Sequence, residues 1–300
     1  MKKNYLLKHI ILIFLILSTC FSSVSANTKS IEASKTEQED NVPFYIQDYL
    51  ECEKDCREKL EEDKKKDYTL STKEKSWFIV PNNKGLVPSQ KDDVNELLRK
   101  YSGYYVGDTN KKELYITFDE GYENGYTNKI LDILKRHDVK AAFFVVKPYI
   151  TSNPDIIKRM DAEDHLVCNH SSHHPSMAKV KNFDKFNKEL EDVEKAYEEV
   201  TSKTMPKFFR PPMGKYSDLS ISYTQDLGYK TVFWSFAYFD WDVKKQPSHE
   251  EAMKKILTRT HNGAIILLHA VSKTNADILD ELLTKWKDEG YSFKTLNDLK

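Results

Sequence analysis

The sequence has no excess of charge of either sign. Lysine and arginine total 46 against 47 aspartates and glutamates, a net charge of −1. That balance removes the electrostatic case for nucleic-acid binding, which needs a cationic surface. Cysteines are few, 4 in 300 residues, so a disulfide framework is not what organises the chain. The longest unbroken apolar run, Ile10 to Leu17, is too short for a comfortable membrane span. What remains is a composition 39% hydrophobic and 31% charged, which fits a soluble protein. Its length allows one large domain or two ordinary ones. Aromatics are plentiful, with 17 Tyr and 15 Phe, which suits carbohydrate-stacking surfaces among other uses.

The N-terminus reads as a targeting segment. Lys2, Lys3 and Lys8 are followed by the Ile10–Leu17 run and then Val24-Ser25-Ala26, a small-residue cleavage site. The expectation is a secretory signal peptide over residues 1–26 and export across the cytoplasmic membrane. Leu17-Ser18-Thr19-Cys20 loosely resembles a lipoprotein processing box, although Thr before the Cys fits it poorly. An uncleaved anchor is a third option, and all three place the protein outside that membrane. Residues 27–74 are polar and charged, and read as a spacer with at most one helix. Within it, Cys52 and Cys56 share a helical face with Tyr49 and Leu60. They are either part of a modest apolar stripe or a local disulfide.

The folded part is expected to begin near Trp77. Residues 75–111 form an extension, with a helix within 88–107 burying Val94, Leu97, Leu98 and Tyr101. From Leu114 a rhythm of strands and helices sets in. Strands are expected at Leu114–Phe118, Ala141–Val146, Leu166–Cys168, Phe208–Phe209, Lys230–Trp234, Ala264–Leu268 and near Tyr291–Phe293. Helices are expected from Thr127 to His137, from Asn153-Pro154, from Asp184 to Val200, up to Gly228, from Ser248 to Thr260, and from Ala276 to Glu289. The strands are mostly apolar on both faces, which argues for a parallel sheet. Seven such units fit an α/β fold, a distorted, incomplete (β/α) barrel, better than an open sheet. In such barrels the site collects at the C-terminal strand ends.

Five strand ends carry chemistry-bearing residues. They are Asp119-Glu120, Asn169 to His174, Arg210 to Gly214, Phe239-Asp240-Trp241, and His269. His170 and His174 are four apart and face the same way if they share a helical turn. Two histidines and a carboxylate with an open position suit a catalytic divalent metal. His173 could replace either histidine. Arg210 beside a carboxylate would hold Asp119 ionised. His269 ends an apolar strand and needs a polar partner.

The set Thr117-Phe118-Asp119-Glu120-Gly121, His170-Ser171-Ser172-His173-His174, Arg210-Pro211-Pro212-Met213-Gly214, Asp240-Trp241 and Leu268-His269 resembles the polysaccharide deacetylases of carbohydrate esterase family 4. Val232-Phe233-Trp234-Ser235, the run Gly121 to Thr127, and Leu267 to Ser272 with Asn275-Ala276 look like the branch that makes muramic δ-lactam in spore cortex. The resemblance implies a catalytic domain over residues 112–300 and roles for its residues. Asp119 would be the general base and His269 the general acid. Arg210 would tether the base, and Asp240 would orient the acid. Glu120, His170 and His174 would hold a divalent metal, zinc being the expectation. Pro212, Gly214, Trp241 and Leu268 would line the substrate pocket. Glu120 stands where the family usually has Asp. The implied substrate is peptidoglycan glycan, with an N-acetylmuramoyl-L-alanine amidase as functional partner, no nucleic acid, and a monomeric state. A chitin or N-acetylglucosamine deacetylase and a non-catalytic wall-binding module are the alternatives.

Overall fold

The computed structural model describes residues 70–300. The expected signal peptide, the spacer up to residue 69, and Cys20, Cys52 and Cys56 lie outside the described residues. Along the chain come β1 (Lys75–Ser76), α1 (Asp92–Lys100), β2 (Glu113–Glu120), α2 (Thr127–Arg136), β3 (Ala142–Val145), α3 (Lys147–Ser152), α4 (Pro154–Ala162) and β4 (Leu166–Asn169). They are followed by α5 (Phe183–Thr201), β5 (Phe208–Phe209), β6 (Lys215–Tyr216), α6 (Asp218–Asp226), β7 (Lys230–Thr231), α7 (His249–Arg259), β8 (Ala264–His269), α8 (Lys273–Asp288) and β9 (Ser292–Lys294).

Seven strands form one sheet in the order β7-β5-β4-β3-β2-β8, with β9 also on β2, and every pairing is parallel. The sheet curls until its ends approach. Phe236, just past β7, bridges Ile266 of β8 in parallel, and Leu267 N–H donates to the Phe236 carbonyl. β5 and β7 contribute only two residues each, so the barrel is distorted and incomplete, as expected from the sequence.

Alternation along β2 divides the core into two layers. Leu114, Ile116 and Phe118 pack with Ile130, Leu134, Leu279 and Trp286 of the helices. Tyr115 faces inward with Phe144, Cys168 and Ile265. Each fully buried aliphatic or aromatic side chain contributes about 1.5–3 kcal/mol. Side-chain caps start the longer helices: Asn182 Oδ1 accepts from Lys185 N–H at α5, and Ser272 Oγ accepts from Asn275 N–H at α8.

Several boundaries differ from the sequence reading. The helix expected within 88–107 spans only Asp92–Lys100, and the strand expected over Lys230–Trp234 is regular only at Lys230–Thr231. α3 was not expected. It ends at Asn153, whose side-chain amide donates back to the Tyr149 carbonyl instead of capping α4. β1 and β6, also unexpected, pair antiparallel outside the main sheet. Residues 70–74, assigned to the spacer, already touch the fold. The Ser71 carbonyl accepts from Leu219 N–H, and the Glu74 carboxylate accepts from Ser176 Oγ. Trp77 of the extension stacks on Phe233 at 4.2 Å between ring centroids, and its indole N–H donates to the Trp234 carbonyl.

Candidate active site

Parallel register brings the C-terminal strand ends to one rim. Asp119 pairs across the sheet with His269 on one side and Phe144 on the other. Asn169 pairs with Phe209, which places the loops carrying His170 and Arg210 side by side. A cavity of about 600 Å³ opens there, and Asp119, His170, His174, Gly214, Trp241 and His269 all line it.

Asp119 sits at the cavity floor. Arg210, fully buried, donates from Nη1 to Asp119 Oδ1 at 2.7 Å and from Nε to the Val232 carbonyl at 3.1 Å. The guanidinium lies over the Phe144 ring, 4.1 Å from its centroid. Burial alone would raise the Asp119 carboxyl. The Arg210 charge, aided by His170 and His269, outweighs it and holds the carboxyl below the usual range. Asp119 is therefore ionised.

His269 sits beside Asp119, its register partner on the adjacent strand, and is held by Asp240. Its Nδ1–H donates to Asp240 Oδ1 at 2.7 Å, and its backbone N–H donates to Oδ2 at 2.9 Å. Burial would lower the imidazole pKa, but the Asp240 carboxylate outweighs burial and raises it. The Nδ1 bond leaves Nε2 for the cavity. Asp240 itself is fully buried.

His170 and His174 meet on a loop, not on the helical turn inferred from their spacing. Ser171 and His174 both have positive φ, 66° and 56°. The loop is pinned by Asn169 Oδ1, which accepts from Ser171 N–H, and by Ser171 Oγ, which accepts from His174 N–H. The imidazole centroids are 4.9 Å apart. His170 Nδ1 donates to the Arg210 carbonyl at 2.8 Å, so its Nε2 carries a lone pair, 3.5 Å from Asp119 Oδ2. Burial pulls the His170 pKa down to about 4 and also lowers that of His174. Two neutral imidazoles with a tautomer fixed by a carbonyl are suitable donors for a divalent ion. His173 points elsewhere, to Glu189.

Three expected residues do not meet the cavity as expected. β2 runs on through Glu120, whose backbone pairs with Val145. Neighbours on a strand point to opposite faces, so the Glu120 carboxylate turns away from the histidines into the helix layer. There it is fully buried, neither oxygen has a hydrogen-bond partner, and Glu123 and Tyr149 are its electrostatic neighbours. Among the described residues no three His, Cys, Asp or Glu side chains form a group that could hold a metal ion. Of the three residues expected to hold a metal, His170 and His174 reach the cavity and Glu120 does not. Leu268 likewise faces the helix layer, and Leu267 takes the cavity position. Pro212 is buried beside the rim, and Met213, in a left-handed conformation with φ 57°, lines the cavity instead. Tyr122, Tyr238 and Val271 also line it. Tyr122 and Val271 fall within the runs Gly121 to Thr127 and Leu267 to Ser272 that carry the branch resemblance, without roles of their own there, and no signal in the sequence marks Tyr238.

Residues 106–232 match the polysaccharide deacetylase family. A peptidoglycan-N-acetylmuramic acid deacetylase, PdaA of Bacillus subtilis, is 42% identical over 212 residues, 71% of this chain and 80% of that protein. An uncharacterised 30.6 kDa protein of Geobacillus stearothermophilus is 47% identical over 223 residues, 74% of this chain and 84% of that protein. The solved structure of Bacillus subtilis PdaA, a family 4 carbohydrate esterase, superposes with a TM-score of 0.74 at 39% identity, covering 77% of this chain and 98% of that one. The chain belongs to the polysaccharide deacetylase family. Among its relatives it is similar to the N-acetylmuramic acid deacetylase just described.

Proposed function

We propose that this protein is a metal-dependent peptidoglycan deacetylase that removes the acetyl group from N-acetylmuramic acid. The observation that carries the reading is one cavity with two oppositely set groups. Asp119 is kept ionised by Arg210, and Asp240 raises the pKa of His269 against burial and so favours its protonated form. A cavity that only bound glycan would need neither setting. The likeness to a named N-acetylmuramic acid deacetylase supports the choice of sugar.

His170 and His174 would hold the divalent ion, zinc being consistent with imidazole donors. Bound there, it supplies Lewis acidity to a carbonyl and lowers the pKa of water. Asp119 accepts a proton from the attacking water. The hydroxide oxygen adds to the acetyl carbonyl carbon. His269 Nε2–H then gives its proton to the sugar nitrogen as the C–N bond breaks. Acetate and a free amine result. On muramic acid stripped of peptide, that amine can close on the lactyl carboxyl, the carboxyl C–O bond breaking and water leaving, to give the δ-lactam. An N-acetylmuramoyl-L-alanine amidase would supply such a substrate. Spore cortex is then the wall layer concerned. The signal-like N-terminus supports export, and no helix among the described residues is long and apolar enough to cross a membrane. The working form is a monomer.

Acetate release from three glycans tests the sugar choice: peptide-stripped muramic acid strands, peptide-bearing strands, and chitin oligomers. The peptide-stripped strands are expected to react fastest. Preference for chitin oligomers would move the assignment to an N-acetylglucosamine deacetylase.

A further inference from the structure

Asp240 has a third donor that the acid–base reading does not use. Asn275, in the first turn of α8, donates from Nδ2 to Asp240 Oδ2 at 2.6 Å and to the His269 carbonyl at 3.1 Å. Its Oδ1 accepts from the Tyr238 hydroxyl. Both partners of Nδ2 are acceptors only, so the amide has one workable orientation. Ser272 Oγ accepts from Asn275 N–H and fixes the backbone beneath. Gln246 donates to the Asp240 and Asp242 carbonyls and accepts from Ser272 Oγ, which ties the Asp240 loop to the same helix start. Asn275 is 1% exposed and Asp240 is fully buried. Without Asn275, Asp240 Oδ2 would keep only the His269 N–H, and a buried carboxylate short of donors is costly.

We propose that Asn275 is a positioning residue for the acid step, holding Asp240 in the one rotamer that fixes the His269 tautomer and aims Nε2 into the cavity. Tyr238 supports it by locking the amide. This rests on the reading of His269 as the general acid. Asn275→Leu keeps the approximate side-chain shape and removes both donated bonds. It is expected to lower kcat about tenfold, the scale of losing a hydrogen bond to a charged group, with KM within about twofold. Tyr238→Phe is expected to act in the same direction by less. On an Asp240→Asn background Asn275→Leu is expected to add almost nothing, because Asn275 acts through that carboxylate.

A second measurement needs no substrate. In ¹⁵N-histidine-labelled protein the His269 Nδ1 proton, bonded to Asp240, gives its own NMR resonance. Asn275→Leu is expected to shift or broaden it, while thermal unfolding remains cooperative. An unchanged resonance, or the same fold-loss of kcat on both backgrounds, would overturn the proposal. A resonance that shifts in a protein releasing no acetate supports the positioning role and counts against the deacetylase reading alone.

Discussion

Asp119 and Glu120 are neighbours in the chain and end on opposite sides of the sheet. Asp119 faces Arg210 and the cavity; Glu120 is buried on the helix side, near Glu123, Thr127 and Tyr149. Asp119→Asn is expected to cut acetate release by at least about a hundredfold, the lower end for losing a general base. Glu120 gives the opposite expectation. Burial, with the Glu123 and Asp119 charges, pushes its pKa well above the usual range. The folded protein therefore binds that proton more tightly than the unfolded chain, and stability falls as pH rises from the ordinary glutamate range through the folded pKa. Glu120→Gln removes this term. Its melting temperature is expected to depend less on pH over that window, and its metal content to match the wild type. Loss of metal from Glu120→Gln would show that the carboxylate is a ligand after all. Arg210→Met leaves Asp119 buried without its cation, at a cost of about 3–5 kcal/mol. Removing that charge raises the Asp119 pKa, so the acid limb of the pH–rate profile is expected to move to higher pH.

At the scale of elements, strand ends decide which residues reach the site. Parallel apolar strands and five polar strand ends were legible in the sequence, and with them Asp119, His170, His174, Arg210, Asp240, Trp241 and His269. The end of β2 was not. A strand stopping at Phe118 leaves Glu120 in a loop, free to turn toward the histidines; two more paired residues commit it to the far face. No local signal marks that difference, because register is set by the neighbouring strand. Leu267 could have been found, since residues two apart share a face and His269 must point inward. The helix expected from Ala276 begins at Lys273, and the contacts of its first turn depend on where the Asp240 loop lands. The turn at Gly214 couples site and extension. Its carbonyl accepts from Trp77 N–H, and a Cβ there would lie 2.9 Å from Trp234 and 3.0 Å from Trp77. With φ at +62°, Gly214→Ala carries about 1–2 kcal/mol of backbone strain before any clash. A lower melting temperature is expected, read by calorimetry.

At the scale of the whole molecule, the barrel holds Asp119 and His269 on adjacent strands, and the extension braces the wall behind them through Trp77, Phe233 and Trp234. The histidine pair makes the activity metal-dependent in this account. Chelation followed by dialysis is expected to abolish acetate release, and zinc to restore it. The most direct test of the central claim is mass spectrometry of peptide-stripped peptidoglycan strands after incubation with wild type, Asp119→Asn and His269→Gln. Muramic acid residues lacking the acetyl group, as free amine or lactam, are expected from the wild type and almost none from either variant. Equal deacetylation by all three proteins, or acetylated muramic acid throughout with the zinc-loaded wild type, would contradict it.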